Sequence, residues 1–222
     1  MESSDKNRFI KQHIELYGEE LFLNSSLPLA DKGFLKLSKK SLLSKVETNL
    51  SFHFNQKNDS LNRNQVFGSG DSNADLVIIG ESPRDYEDEL VKPFVGASGK
   101  LLDKILKAIG LKRNQNVYLT YILKYKTLDN RDPLLSEINE FLPFLINQIE
   151  IIKPKIIVGL GKVVGKAFLN TESKLEDMRK NIHDFNSYPL KITYCLETLL
   201  HDPSLKKYAW EDFQFIRDFL KN

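Results

Sequence analysis

The chain has 222 residues, 41% of them hydrophobic, enough to bury a sizeable core. Its 32 Lys and Arg against 30 Asp and Glu leave a net charge of only +2, so bulk charge does not mark a nucleic-acid binder and any binding face must come from local clustering. A single cysteine, Cys195, excludes an intrachain disulfide and any metal or iron-sulfur site built from several thiolates of this chain.

In chain order, Phe9, Ile10, His13, Ile14, Leu16, Tyr17 and Leu21 recur at helical spacing between Asp5 and Leu23, predicting an amphipathic helix that ends at Asn24-Ser25-Ser26. A shorter helix is expected from Lys39 to Leu50, followed by a polar loop from Ser51 to Asn64. Beyond it, short apolar runs alternate with helical patterns. Asp75 to Gly80 reads as a buried strand, and Leu101, Leu102, Ile105, Leu106 and Ile109 form one helix face after it. Val117 to Thr120 is a second strand, followed by Ile138, Phe141, Leu142, Leu145 and Ile149 at helix spacing, with Asp132 and Pro133 suited to the N-cap and first position. Ile156 to Val158 is a third strand, Lys162 to Leu169 a short helix, and Leu190 to Tyr194 a fourth strand. A closing helix carries Trp210, Phe213, Ile216 and Phe219. Buried strands separated by helices imply a three-layer α/β/α sandwich around a mostly parallel four-stranded sheet, with an N-terminal helical extension. No run reaches the roughly 18 apolar residues of a membrane span. The polar opening Met1 to Lys6 lacks a signal-peptide core, so a cytoplasmic protein with no membrane contact is expected.

Ligands of such sheets bind outside the carboxyl ends of the strands. The loops at 80–99, 121–131, 159–162 and 195–203 are therefore the ones to inspect. In the first, Gly80-Glu81-Ser82-Pro83 leaves a strand and Pro93-Phe94-Val95-Gly96-Ala97-Ser98-Gly99-Lys100 enters a helix. Gly96 and Gly99 let backbone amides approach a ligand, and the helix N-terminus favours an anion such as a phosphate. A plain strand-to-helix turn explains the same glycines equally well.

The run from Gly80 to Leu102 resembles the first motif of the iron-sulfur (family four) uracil-DNA glycosylases. The similarity continues through Val66 to Gly70, Val117 to Thr120, Lys124, Asn130 to Pro133, Pro154 to Gly161, and Pro203 to Lys206, in collinear order. The resemblance implies a glycosylase-like domain over 61–222, preceded by the extension and linker over 1–60. It also implies an enzyme that flips uracil out of DNA and hydrolyses its glycosidic bond. On that mapping Glu81 takes the acidic role and Phe94 stacks on the base, with Ser82 and Pro83 completing the base pocket. The family's base-reading asparagine is replaced by Tyr121, and its histidine after the last strand by Cys195. Removing one donor aimed at developing negative charge costs about 2.7–4 kcal/mol. Uracil excision is therefore expected to be weak or lost; the alternative is a divergent glycosylase acting on uracil or another deaminated base.

Cysteines implied by the family are absent too: none precedes Cys195, and the third and fourth ligand positions fall on Tyr125 and Phe141. No cluster and no other metal or cofactor is expected, with aromatic packing in the cluster's place. Cys195 itself has no activating base or cation beside it and reads as a small hydrophobe filling the space of an imidazole. DNA is the expected partner, contacted through Ser98, Gly99, Lys100, Lys162 and Lys206, with Lys124, Lys126 and Arg131 adding charge nearby. A protein partner is a further expectation for the N-terminal extension.

Overall fold

A computed structural model describes residues 37–55 and 63–221. The helix expected between Asp5 and Leu23 lies outside the described residues. The next one, α1 (Lys39–Asn55), runs five residues past its expected end at Leu50. Ser51 lies within the helix, its hydroxyl donating back to the Glu47 carbonyl at 3.1 Å. Leu43, Val46 and Leu50 point from α1 into the core.

Among the described residues six strands form one sheet: β1 (Ser69–Gly70), β2 (Leu76–Gly80), β3 (Val117–Tyr121), β4 (Ile156–Leu160), β5 (Ile182–Phe185) and β6 (Tyr188–Thr193), in the order β1-β3-β2-β4-β6-β5. The four inner strands are parallel and are the four read from the sequence. The two edge strands are antiparallel and were not expected. Strand β1 is two residues long, too short to leave a periodic pattern. Strand β5 is mostly solvent-facing and polar, so it reads as loop; Asn186 and Ser187, at φ 53° and 71°, turn it back into β6 as a two-residue hairpin.

The described residues also form helices α2 (Asp85–Leu90), α3 (Gly96–Ala108), α4 (Leu135–Ile152), α5 (Lys162–Leu169), α6 (Leu175–Lys180), α7 (Leu196–His201) and α8 (Lys206–Lys221). Strand residues alternate between two cores. Val77, Ile79, Ile157 and Ile192 face Leu145, Ile149 and Val164 on one side. Leu76, Ile78, Ile156 and Val158 face Leu102, Leu106, Phe213 and Ile216 on the other. Three layers result. Asp132 and Pro133 precede α4 rather than starting it: the amide of Leu134 donates to Glu137 Oε2 at 2.8 Å, so the carboxylate of the first turn satisfies the helix end instead.

Candidate functional site

Strand β2 lies between β3 and β4, and the chain leaves it toward one side and later crosses to the other. Such a reversal opens a crevice at the carboxyl ends of the strands. The loops after β2, β3, β4 and β6 meet there around a pocket lined by Glu81, Ser82, Arg84, Glu87, Phe94, Tyr121, Leu160, Cys195 and Glu197, among others. Five residues singled out in the sequence therefore converge: Glu81, Ser82, Phe94, Tyr121 and Cys195. Pro83 is buried beside them.

Glu81 begins the loop after β2, its backbone carbonyl accepting from the amide of Leu123 at 3.0 Å. Gly161, at φ 95°, passes so close that a Cβ there would sit 2.8 Å from Glu81 Oε1 and 3.1 Å from the Cys195 Cβ. Only glycine meets both demands, the left-handed backbone and the close approach. Burial, together with the carboxylates of Asp132 and Glu197, pushes the Glu81 carboxyl up to about 7. Arg84, 3.9 Å away, and the backbone amide of Val163 in the first turn of α5 pull in the opposite direction.

Tyr121 ends β3 and fills the pocket beside Phe94. The two rings lie 4.6 Å apart, inclined by 33°, and the Phe94 amide donates to Tyr121 Oη at 2.9 Å. Burial, reinforced by Glu87, holds the phenol well above its ordinary pKa, so it stays protonated. With Tyr121 in place the free volume of the pocket is about 20 Å³, room for roughly one water. Phe94 itself has a positive φ of 52°, a conformation that an aromatic residue adopts only under constraint. Arg113 supplies that constraint: its guanidinium donates to the carbonyls of Pro93 at 3.1 Å, Phe94 at 2.7 Å and Gly99 at 2.9 Å. Gly99 is required here for packing, since a Cβ on it would lie 2.0 Å from the Phe94 carbonyl oxygen.

Cys195 is half-buried, with Sγ 2.9 Å from Thr198 Oγ1, and burial raises its thiol pKa. A thiol so held is a poor nucleophile. Ser82 is 4% exposed, and its hydroxyl has no hydrogen-bond partner among the described residues.

Of the residues expected to meet DNA, Lys100, Lys162 and Lys206 are exposed, whereas Ser98 and Gly99 are buried. Ser98 Oγ donates to the Val95 carbonyl at 3.2 Å. Lys124 is a correction. It is fully buried, its ammonium donating to Thr120 Oγ1, the Tyr121 carbonyl and Gln148 Oε1, each at 2.6 Å, so it cannot reach a phosphate. Burial drives its pKa well down. Lys126 and Arg131 are engaged by Asp85 and Glu137. Sequence reading missed Arg84 and Glu87 as lining residues; the (i, i+3) spacing of Glu81 and Arg84 was the available signal. Arg113 left none, being far in sequence from the turn it clamps.

Tyr125 and Phe141, at the implied third and fourth cluster ligands, are joined by Phe54 of α1. Phe54 stacks on Phe141 at 4.4 Å and lies 5.2 Å from Tyr125. Three rings without a thiolate do not fit an iron-sulfur cluster.

Residues 67–214 match the family described as the uracil DNA glycosylase superfamily. The chain is 37% identical over 169 residues to a type-4 uracil-DNA glycosylase of Saccharolobus solfataricus, covering 72% of this chain and 78% of that one. A type-4 uracil-DNA glycosylase of Sulfurisphaera tokodaii is 38% identical over 164 residues, or 70% of this chain and 74% of that one. A DNA polymerase of Bacillus phage SP01 is 30% identical over 154 residues, which are 69% of this chain and 17% of the polymerase.

Proposed function

The chain belongs to the uracil DNA glycosylase superfamily, and from that premise we propose that it is a DNA-binding member that has lost uracil excision. The observation that carries this reading is Tyr121, which occupies the space beside Phe94 where a flipped base would stack. A cavity that accepts one benzene-sized ring holds about 150 Å³. The pocket offers about 20 Å³. Cys195 adds to the loss, because a thiol S–H is a much weaker hydrogen-bond donor to negative charge on a departing base than an imidazole N–H. Exposed Lys100, Lys162 and Lys206 supply phosphate contacts. The protein works in the cytoplasm without an iron-sulfur cluster, its place taken by Phe54, Tyr125 and Phe141.

The test is incubation of the purified chain with uracil-containing single- and double-stranded DNA, assayed for abasic sites and, separately, for binding across a salt series. Binding that weakens steeply with salt, and no cleavage above a Glu81→Ala control, are expected. Excision above that control overturns the reading.

A second reading is favoured by the polymerase match: a domain of this kind sits within a phage polypeptide named for DNA synthesis. On it, the chain serves as a separate accessory to a DNA polymerase. Primer extension by a partner polymerase, with and without the chain, tests this; an unchanged product length rejects it.

A further inference from the structure

We infer that β5 pairs edge to edge with β5 of a second copy of this chain, joining the two sheets across a two-fold axis at His183. The contact lies at the sheet edge, outside the crevice, and stands independently of the DNA-binding reading.

Strand β5 is the last in the sheet, and among the described residues its outer edge has no backbone partner. Which groups face outward follows from the hairpin. Asn186 and Ser187, both at positive φ, form the two-residue turn, so Phe185 and Tyr188 exchange both of their backbone hydrogen bonds. Bonded and unbonded pairs alternate along an antiparallel ladder. His183 therefore also bonds to β6, opposite Leu190, while Ile182 and Asp184 turn their N–H and C=O groups outward. Pro189, which has no N–H to give, stands opposite Asp184 at an unbonded position, as this pattern requires.

Two outward residues separated by one are self-complementary. Under a two-fold axis through His183, Ile182 faces Asp184 of the second copy and Asp184 faces its Ile182, and each pair exchanges two hydrogen bonds. The two His183 residues meet at the unbonded position between them.

Side chains supply the rest. Ile182 lies opposite Lys191, so both side chains are on the α8 face. The Lys191 ammonium lies 5.4 Å from the centre of the Phe215 ring, and Phe215 lies 6.1 Å from Phe219. Ile182 and Phe215 are each 43% exposed; Tyr208, seven residues before Phe215 and so on the same side of α8, is 38% exposed. An apolar patch beside a bare strand edge marks an interface. The charges around it select an identical partner. Lys191 is paired with Asp212, Lys180 with Asp177 and Arg217 with Asp218, so the patch carries little net charge. An isologous contact sets each charge near its own copy, and an unpaired cluster of one sign would repel itself. Nor does β5 carry the lysine, proline or bulge with which edge strands keep copies apart.

Sedimentation velocity of the purified full chain over a concentration series tests this. A species of twice the chain mass is expected to grow with concentration. Ile182→Pro removes one outward N–H per chain without touching the hairpin bonds, and Asn181, at φ −116° and ψ 164°, already has the backbone that a following proline requires. It is expected to weaken the dimer about tenfold or more while keeping the parent's circular dichroism spectrum. Phe215→Ser, which leaves the strand edge intact, is expected to weaken it as well. Register is read by oxidation. His183→Cys is expected to form a disulfide-linked dimer on a non-reducing gel. Ile182→Cys, whose Cα atoms would lie about 8 Å apart across the axis, and the parent chain, with Cys195 alone, are expected not to. A monomer at every concentration overturns the inference. So does a dimer that Ile182→Pro and Phe215→Ser leave unchanged, or one that Ile182→Cys cross-links and His183→Cys does not.

Discussion

Glu81 is the residue where function and stability pull apart. Its carboxyl is 16% exposed and titrates near 7 instead of its ordinary 4.5. Between those values the unfolded chain has released the proton while the native protein still holds it. The native state then binds more protons, so stability falls as pH rises. Its stabilising share is complete below pH 4.5 and gone above about 7. Glu81→Gln should match the parent in urea denaturation at pH 4 and exceed it by about 2–3 kcal/mol at pH 8. Tyr121 has the opposite character, because its phenol is part of the packing. Tyr121→Phe keeps the ring but leaves the Phe94 amide without an acceptor, which should lower stability by about 1–3 kcal/mol and speed exchange of that amide. Both residues were legible in the sequence, because motif order alone puts Glu81 after the first strand and Tyr121 after the second. That Tyr121 turns inward was not, because a phenol at a strand end is compatible with either orientation. Lys124 shows the same limit: a lysine in a loop, two residues from Lys126, reads as surface until its three buried acceptors are seen.

At the scale of elements, the turn from Pro93 to Gly99 is held from outside itself. Its carbonyls converge on Arg113, which follows α3 and is also paired with Asp103 on that helix. Arg113→Ala should cost about 2–3 kcal/mol in chemical denaturation, since three carbonyls lose a charged donor. Arg113→Lys should recover less than half of that, because an ammonium cannot span three divergent acceptors as a guanidinium does. Proteolysis or hydrogen exchange localised to this turn checks the position of the effect. The four inner strands were readable because burial on both faces leaves unbroken apolar runs. The edge strands were not: β1 is two residues, and β5 puts Ile182 outward and polar side chains among its neighbours. Short helices α2, α6 and α7 span six residues each, below the length at which periodicity separates helix from loop.

For the molecule as a whole, the rings of Phe54, Tyr125 and Phe141 join α1, the loop after β3 and α4 at one point. Phe141 is buried, and Phe141→Ala should lower stability by about 3–5 kcal/mol in thermal or urea unfolding. Elemental analysis of the purified chain should find iron far below one atom per molecule, and a chelator should leave the melting temperature unchanged. A protein whose core depends on a metal waits for that metal before it can fold, and unfolds when it is withdrawn. Here the same junction is closed by carbon rings that arrive with the polypeptide, and the one cysteine of the chain lies elsewhere, half-buried beside Thr198. On the proposed reading, folding is uncoupled from iron supply and from oxidants that strip clusters. The chain should mature at the same rate in iron-starved or peroxide-stressed cells as in replete ones.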